Sequence, residues 1–227
     1  MEFDLPLAWR ILPQILEGTV TTLLMIPPIL ILAMAISVPV ALARLSARPL
    51  LANGAWLFTM FFRGAPALIL LYLVYNGMGT LGIVRESFLW RVFDSPFNCA
   101  VIALTFNHAG YVTEILRGAF RTVPSGLHDA ACALALTRPQ RFFLVVIPTA
   151  MRLGLSPYMN EVILLAKTTA LVGAITVSDL MAVANSKVAA TFDPFTPLVM
   201  AAAIYWSIVQ LILFGFARLE THLNRHL

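Results

Sequence analysis

A handful of polar and ionisable side chains stand inside segments otherwise too apolar to hold them. Arg63 interrupts residues 52–79, His108 and Glu114 fall within 97–117, and Asn160, Glu161, Lys167 and Thr168 all lie in 155–178. An unpaired charge at the centre of a bilayer costs on the order of 3 kcal/mol on insertion scales, so each of these groups implies a partner, water or a solute. On a helix over 155–178, Asn160 and Lys167 share one face, and Glu161 and Thr168 another. Such groups could hold a zwitterion, with Arg63 and Lys167 for its carboxylate and Asn160 and Glu161 as acceptors for its ammonium. Alternatively, Arg63 and Lys167 neutralise Glu114 and Glu161 and only tie helices together. For Arg63 and Glu114 both readings stand open, whereas Asn160, Glu161 and Lys167 read better as a solute path.

Other combinations carry less chemistry. His222 and His226 have an i,i+4 spacing that could suit a metal, but no third ligand joins them and they sit on a basic tail. His108 has Glu114 as its nearest acidic neighbour in the same segment, on a different helical face, so it reads as a packed or water-contacting side chain. No nucleophile elbow, zinc-type HExxH or paired cysteine set occurs in the sequence, and no cofactor is expected. A GxxxxGK[ST] phosphate-binding loop is also missing, so this chain does not hold ATP in that way.

The elements that must position these groups follow from hydropathy. Of 227 residues, 60% are apolar and only 11% charged, against roughly 25% charged in a soluble domain. A spanning helix takes about 20 apolar residues, and five segments qualify: 18–43, 52–79, 97–117, 155–178 and 194–217. The fold class is therefore all-α and integral to a membrane. Residues 1–17 form an external amino-terminal segment without the features of a cleaved signal, and 218–227 a cytoplasmic tail. Pro27 and Pro28 should kink or break the first span. Gly64 and Pro66 should loosen the second and free carbonyl oxygens towards a cavity. If the fourth helix begins at 155, Lys167 lies about 18 Å along it, near the bilayer middle.

Lysine and arginine set the orientation. Nine fall on one side (Arg44, Arg48, Arg117, Arg121, Arg138, Arg141, Arg152, Arg218, Arg225) and four on the other (Arg10, Arg85, Arg91, Lys187). The richer side should be cytoplasmic, which puts the amino terminus outside and the carboxyl terminus inside. Cys99 and Cys132 then lie on opposite sides as free thiols. The longest polar stretch, 118–152, faces the cytoplasm. After Pro124-Ser125-Gly126, residues 127–136 read as a short amphipathic helix with Leu127, Ala130, Ala131 and Leu134 on one face.

This loop carries a resemblance. HDAACALALTRPQRFFLVVIPTAMR (128–152) resembles the EAA loop of ABC importer permeases, with Asp129, Ala130, Ala131 and Pro148 matching its pattern. Asp129 stands where the family usually has Glu, and Ala135 where it usually has Gly. A glycine there permits a left-handed turn, so Ala135 either costs about 1 kcal/mol or marks a different turn. FFRGAP (61–66) is similar to the FRGTP signature of polar amino-acid permeases, and YVTEILRGAFRTVPSG (111–126), ending near Gly126, to the segment leading into their EAA loop. YMNEVILLAKTTAL (158–171) resembles the fourth span of the branch serving histidine, basic amino acids and opines.

The resemblance implies a permease subunit of an ATP-driven importer in a bacterial inner membrane, with ATP hydrolysis on a separate chain. The expected partners are a second, related permease subunit, two cytosolic ATP-binding subunits, an external solute-binding protein and an amino-acid or opine solute. Nucleic acid is not expected. Gly126, Asp129, Ala130, Ala131, Ala135 and Pro148 would form the coupling region. Arg63, Glu114, Asn160, Glu161, Lys167 and Thr168 would line the path. The competing reading is a stand-alone secondary transporter using Glu114, Glu161 and Lys167 as an ion or proton relay. The EAA-like loop and the lack of an internal repeat weigh against it.

Overall fold

The computed structural model describes residues 3–223, which are helical with no strand among them; Arg225 and His226 lie outside that range. The first helix, α1, runs over Leu5–Arg44. Next come α2 (Pro49–Gly64) and α3 (Ala67–Thr80), then α4 (Pro96–Thr122). A short α5 (Ser125–Ala133) leads into the long α6 (Arg138–Ile175), followed by α7 (Leu180–Thr191) and α8 (Phe195–Leu223). Four of these are helices long and apolar enough to cross a membrane, and the bent pair α2–α3 is long and apolar enough only when its two halves are taken together, which makes five if the pair is one span.

Helix α1 departs from expectation twice. It begins at Leu5 rather than 18, and at 40 residues it extends about 60 Å, well beyond a hydrocarbon core of about 30 Å. Its first turns are held by packing: Leu7, Ile11 and Ile15 are buried with Leu180, Ala184 and Ala201. Pro27 and Pro28 do not break it, and the helix continues through both and through Pro13 and Pro39. Neighbouring helices clamp it along its length, which is how prolines survive in buried spans. Ser37 Oγ, for example, donates to Ala109 O on α4 at 3.1 Å. Gly18 admits the carbonyl oxygen of Asp179, which would lie 2.8 Å from any Cβ there.

Helix α6 is not one regular cylinder. A π turn at Phe142–Val146 directly precedes Pro148, and a 3-10 stretch closes the helix at Thr169–Ile175. Pro148 has no N–H for the carbonyl four residues back, and the wider turn takes up the mismatch. Because the regular part begins at Ile147 rather than 155, Lys167 lies about 30 Å along it. That moves it from the middle of the span towards the Ile175 end.

The main core joins α1, α3, α4 and α6 through Met25, Ile29, Leu71, Leu104, Leu165 and Val172. Within it, α4 is the most enclosed of the spans, with His108, Ala109, Val112 and Thr113 all buried.

Candidate functional site

The second span is where local sequence shapes a site. Helix α2 stops at Gly64, Pro66 starts the next helix, and the two halves meet at 101°. Pro66 cannot donate to the carbonyl of Phe62, and the break also strips Arg63 of its helical acceptor role. Both oxygens are taken by α4. Asn107 Nδ2 donates to Phe62 O at 2.8 Å, and Tyr111 Oη donates to Arg63 O at 3.1 Å. The freed oxygens are thus claimed by side chains rather than left open to the cavity. Gly110, between those two donors, lets the bend approach, since a Cβ there would meet Arg63 Cγ and Phe62 Cβ at 3.2 Å.

The elbow closes one side of a cavity of about 200 Å³. Arg63, Asn107, His108, Tyr111, Glu161 and Thr168 supply its polar lining, and Leu164 and Leu165 its apolar wall. The Arg63 guanidinium sits 5.4 Å from the centre of the Tyr111 ring, a cation–π distance that holds it beside the cavity. Opposite, Glu161 Oε1 lies 3.2 Å from His108 Nδ1, with His108 only 1% exposed. A cation, a carboxylate, an amide and two hydroxyls therefore converge on a space able to hold a small zwitterion.

The remaining expected residues separate. Glu161 and Thr168 face the cavity, whereas Asn160 and Lys167 lie on an exposed face of α6 and do not line it. Glu114 is elsewhere: its Oε1 accepts from Arg44 Nε at 3.1 Å, and its Oε2 lies 2.7 Å from Arg117 Nη2. The alternative reading, in which Arg63 and Lys167 pair with Glu114 and Glu161, is not what forms. The carboxylates take Arg44, Arg117 and His108 instead, and Lys167 has no ion-pair partner among the described residues. These groups therefore do not assemble into one relay. Sequence reasoning missed Asn107, Tyr111 and the pairing of His108. The signal was available for the first two, since a Gly-x-Pro break requires new donors for its carbonyls. No group of three or more metal-ligating side chains occurs among the described residues.

The loop after α4 forms the expected surface helix. Within α5, Ala131 is buried at 3% exposure, so it packs against its own chain rather than on an outward contact face. Leu127, Asp129 and Ala130 are exposed, as is Leu134 just beyond the helix at 74%. Ala135 adopts φ 53°, the left-handed conformation that glycine usually supplies. Its N–H reaches Cys132 O at 2.9 Å and the Leu136 N–H reaches Ala131 O at 3.1 Å, the paired bonds of a Schellman ending. The turn is kept, and alanine bears its strain.

A bundle of apolar spans, a broken helix at a polar cavity and a surface helix between two spans define a transport-system membrane component. The family described as "Binding-protein-dependent transport system inner membrane component" matches residues 9–225, and the chain belongs to it. It is 40% identical over 187 residues to the histidine/lysine/arginine/ornithine transport system permease protein HisM of Escherichia coli, covering 82% of this chain and 79% of that one. It is 33% identical over 225 residues to the nopaline transport system permease protein NocM of Agrobacterium fabrum, covering 99% and 93%. Against the octopine transport system permease protein OccM of Rhizobium radiobacter it is 33% identical over 205 residues, covering 90% and 84%. Among solved structures, an amino acid ABC transporter crystallised with histidines superposes with TM-score 0.84 at 26% identity, over 98% of this chain and all of that one. The methionine transporter MetNI shares the fold with TM-score 0.79 at 20% identity. The chain is a multi-pass inner membrane protein.

Proposed function

We propose that this chain is the membrane-spanning permease subunit of an ATP-driven importer for a polar amino acid or an opine, and that its solute passes the cavity at the α2–α3 elbow. The observation that carries the reading is the convergence there of Arg63, which is exposed, and the half-buried Glu161, opposite charges lining one small half-open cavity. Arg63 receives the solute carboxylate, Glu161 its ammonium, and Asn107, Tyr111 and Thr168 complete the polar lining. Its relatives are named for histidine, lysine, arginine and ornithine, for nopaline and for octopine, and every one of these solutes contains an α-amino-acid unit.

In this assembly a second, different permease subunit covers the exposed face of α6 that bears Asn160 and Lys167. There the two residues meet the path between subunits rather than lipid. Glu114, tied to Arg44 and Arg117, braces the end of the path nearest the loop. Helix α5, with its exposed Leu127, Asp129 and Ala130 and the following Leu134, docks on one of two cytosolic ATP-binding subunits. Gly126 opens this helix, and Ala135 and Pro148 shape the return into α6. The excess of Arg and Lys at that end supports a cytoplasmic side there and an amino terminus outside, where a solute-binding protein delivers its load. ATP-driven closure moves the α5 helices together and rocks the spans from inward- to outward-facing.

Affinity purification of the tagged chain from its own membrane in mild detergent tests this reading. An ATP-binding subunit and a second permease should elute with it, and ATP hydrolysis should accompany them. Recovery of the chain alone in a form that still transports solute would overturn it.

A further inference from the structure

We propose that a crevice between α1, α4, α6 and α8 binds one acyl chain of a membrane phospholipid, in the leaflet on the α5 side of the bundle. The crevice encloses about 280 Å³ and shares no lining residue with the solute cavity. Tyr158 alone among its lining residues has a polar side-chain atom. The others are hydrocarbon or thioether, Met34, Leu116, Phe120, Ala150 and Phe216 among them. Nothing in it recognises an amino acid. Water would have only the Tyr158 hydroxyl to bond, and an apolar cavity of this kind stays dry. Its walls find packing partners only in hydrocarbon.

Shape and position select which hydrocarbon. Along α6 the lining runs from Ile147 to Tyr158, a rise of about 16 Å. One leaflet of a hydrocarbon core about 30 Å thick has nearly that depth. A helix about 10 Å wide would displace roughly 1,300 Å³ over the same length, several times what the crevice holds. A side chain reaching in from another subunit would fill only part of the length. An extended acyl chain matches both. The back wall is closed where α4 meets α6, since a Cβ on Gly154 would lie 3.2 Å from that of Ala119. Further along the bundle, α1, α6 and α8 close on one another at Ile26, Ala166 and Ile208. The mouth is open to the bilayer. Met151 and Leu219 line the crevice and are exposed, so its opening merges with the apolar outer surface of α6 and α8. A shallower groove on α1, bordered by the exposed Ile31 and Val38, joins it through Met34 and Tyr158. A phospholipid chain thus enters from the membrane without crossing polar protein surface.

Photo-labelling tests the site. The full chain, with the subunits that accompany it, is reconstituted in nanodiscs of phosphatidylethanolamine and phosphatidylglycerol that contain a phosphatidylethanolamine with a mid-chain diazirine. After photolysis, adducts are mapped by mass spectrometry. Residues 147–158 and 216–219 should carry several-fold more adduct than Leu211, an exposed residue of α8 outside the crevice. Ala150→Phe, which fills the crevice from α6, should remove most of that excess and leave labelling at Leu211 unchanged. Met151→Trp, at the exposed mouth, makes the same test where Ala150→Phe does not fold. Equal labelling of the crevice and Leu211 in the wild type would overturn the proposal, as would an excess that persists in a folded variant. Labelling of the crevice only after the companion subunits are stripped away would give the space to a neighbouring subunit, and would overturn it too.

Discussion

The side-chain amide of Asn107 donates to the carbonyl of Phe62 at 2.8 Å, closing the hydrogen bond that Pro66 cannot make. One helix thereby supplies what a break in another removes, and the same stretch of α4 carries His108, Gly110 and Tyr111 to the cavity wall. A bend of 101° inside a membrane is sustained only where its carbonyls are satisfied.

Removing that donor should loosen the elbow. Asn107→Leu keeps the volume but leaves a half-buried carbonyl unpaired, a loss of about 1 kcal/mol. Thermal unfolding of the detergent-purified complex should begin several degrees lower, whereas an exposed-face control such as Leu211→Ala should change little. An unshifted transition in Asn107→Leu would show that the Phe62 carbonyl finds another partner.

At Ala135 the expected change is a gain. A left-handed alanine bears roughly 1–2 kcal/mol of steric strain, and glycine relieves it against about 0.4–1 kcal/mol of added chain entropy. Ala135→Gly should therefore slow hydrogen exchange in 125–137, and Ala135→Val should speed it. The reverse order would mean that the Schellman ending is not the conformation this loop holds in the membrane.

The two faces of α5 predict two different failures. Ala131→Asp buries a charge against the chain's own core and should lower the yield of folded protein. Ala130→Asp and Leu134→Asp alter the outward face and should leave insertion intact while reducing solute-stimulated ATP hydrolysis several-fold. Equal effects of all three on folding would remove the docking role from that surface.

The spans, the surface helix and the weak point at Gly64–Pro66 were legible in the sequence because each is a local pattern. Runs of apolar residues, a proline after a glycine and an amphipathic period report on their own neighbourhood. The polar partners were not legible, because i,i+3 and i,i+4 rules see only one helix. His108 finds Glu161 53 positions away, and Arg44 finds Glu114 across 70. The start of α1 was hidden for a related reason. Arg10, Pro13 and Glu17 dilute its hydropathy, and burial against Leu180 and Ala201 from distant segments holds those turns helical.

Orientation has its own probe. Cys132 is exposed on α5, whereas Cys99 is fully buried and bonded through Sγ to the carbonyl of Phe93. A membrane-impermeant thiol reagent should leave intact cells unlabelled and should modify Cys132 alone once the membrane is opened. Labelling of Cys132 from outside would reverse the topology.

The central claim is that solute meets Glu161 in the cavity below the elbow. Its most direct measurement is solute affinity of the purified permease–ATPase complex, without binding protein, for the wild type and Glu161→Gln. Loss of a charge-assisted hydrogen bond of about 1.5–3 kcal/mol predicts a ten- to hundredfold weaker affinity, with complex assembly unchanged. A correctly assembled Glu161→Gln complex that binds solute as tightly as the wild type would contradict the account.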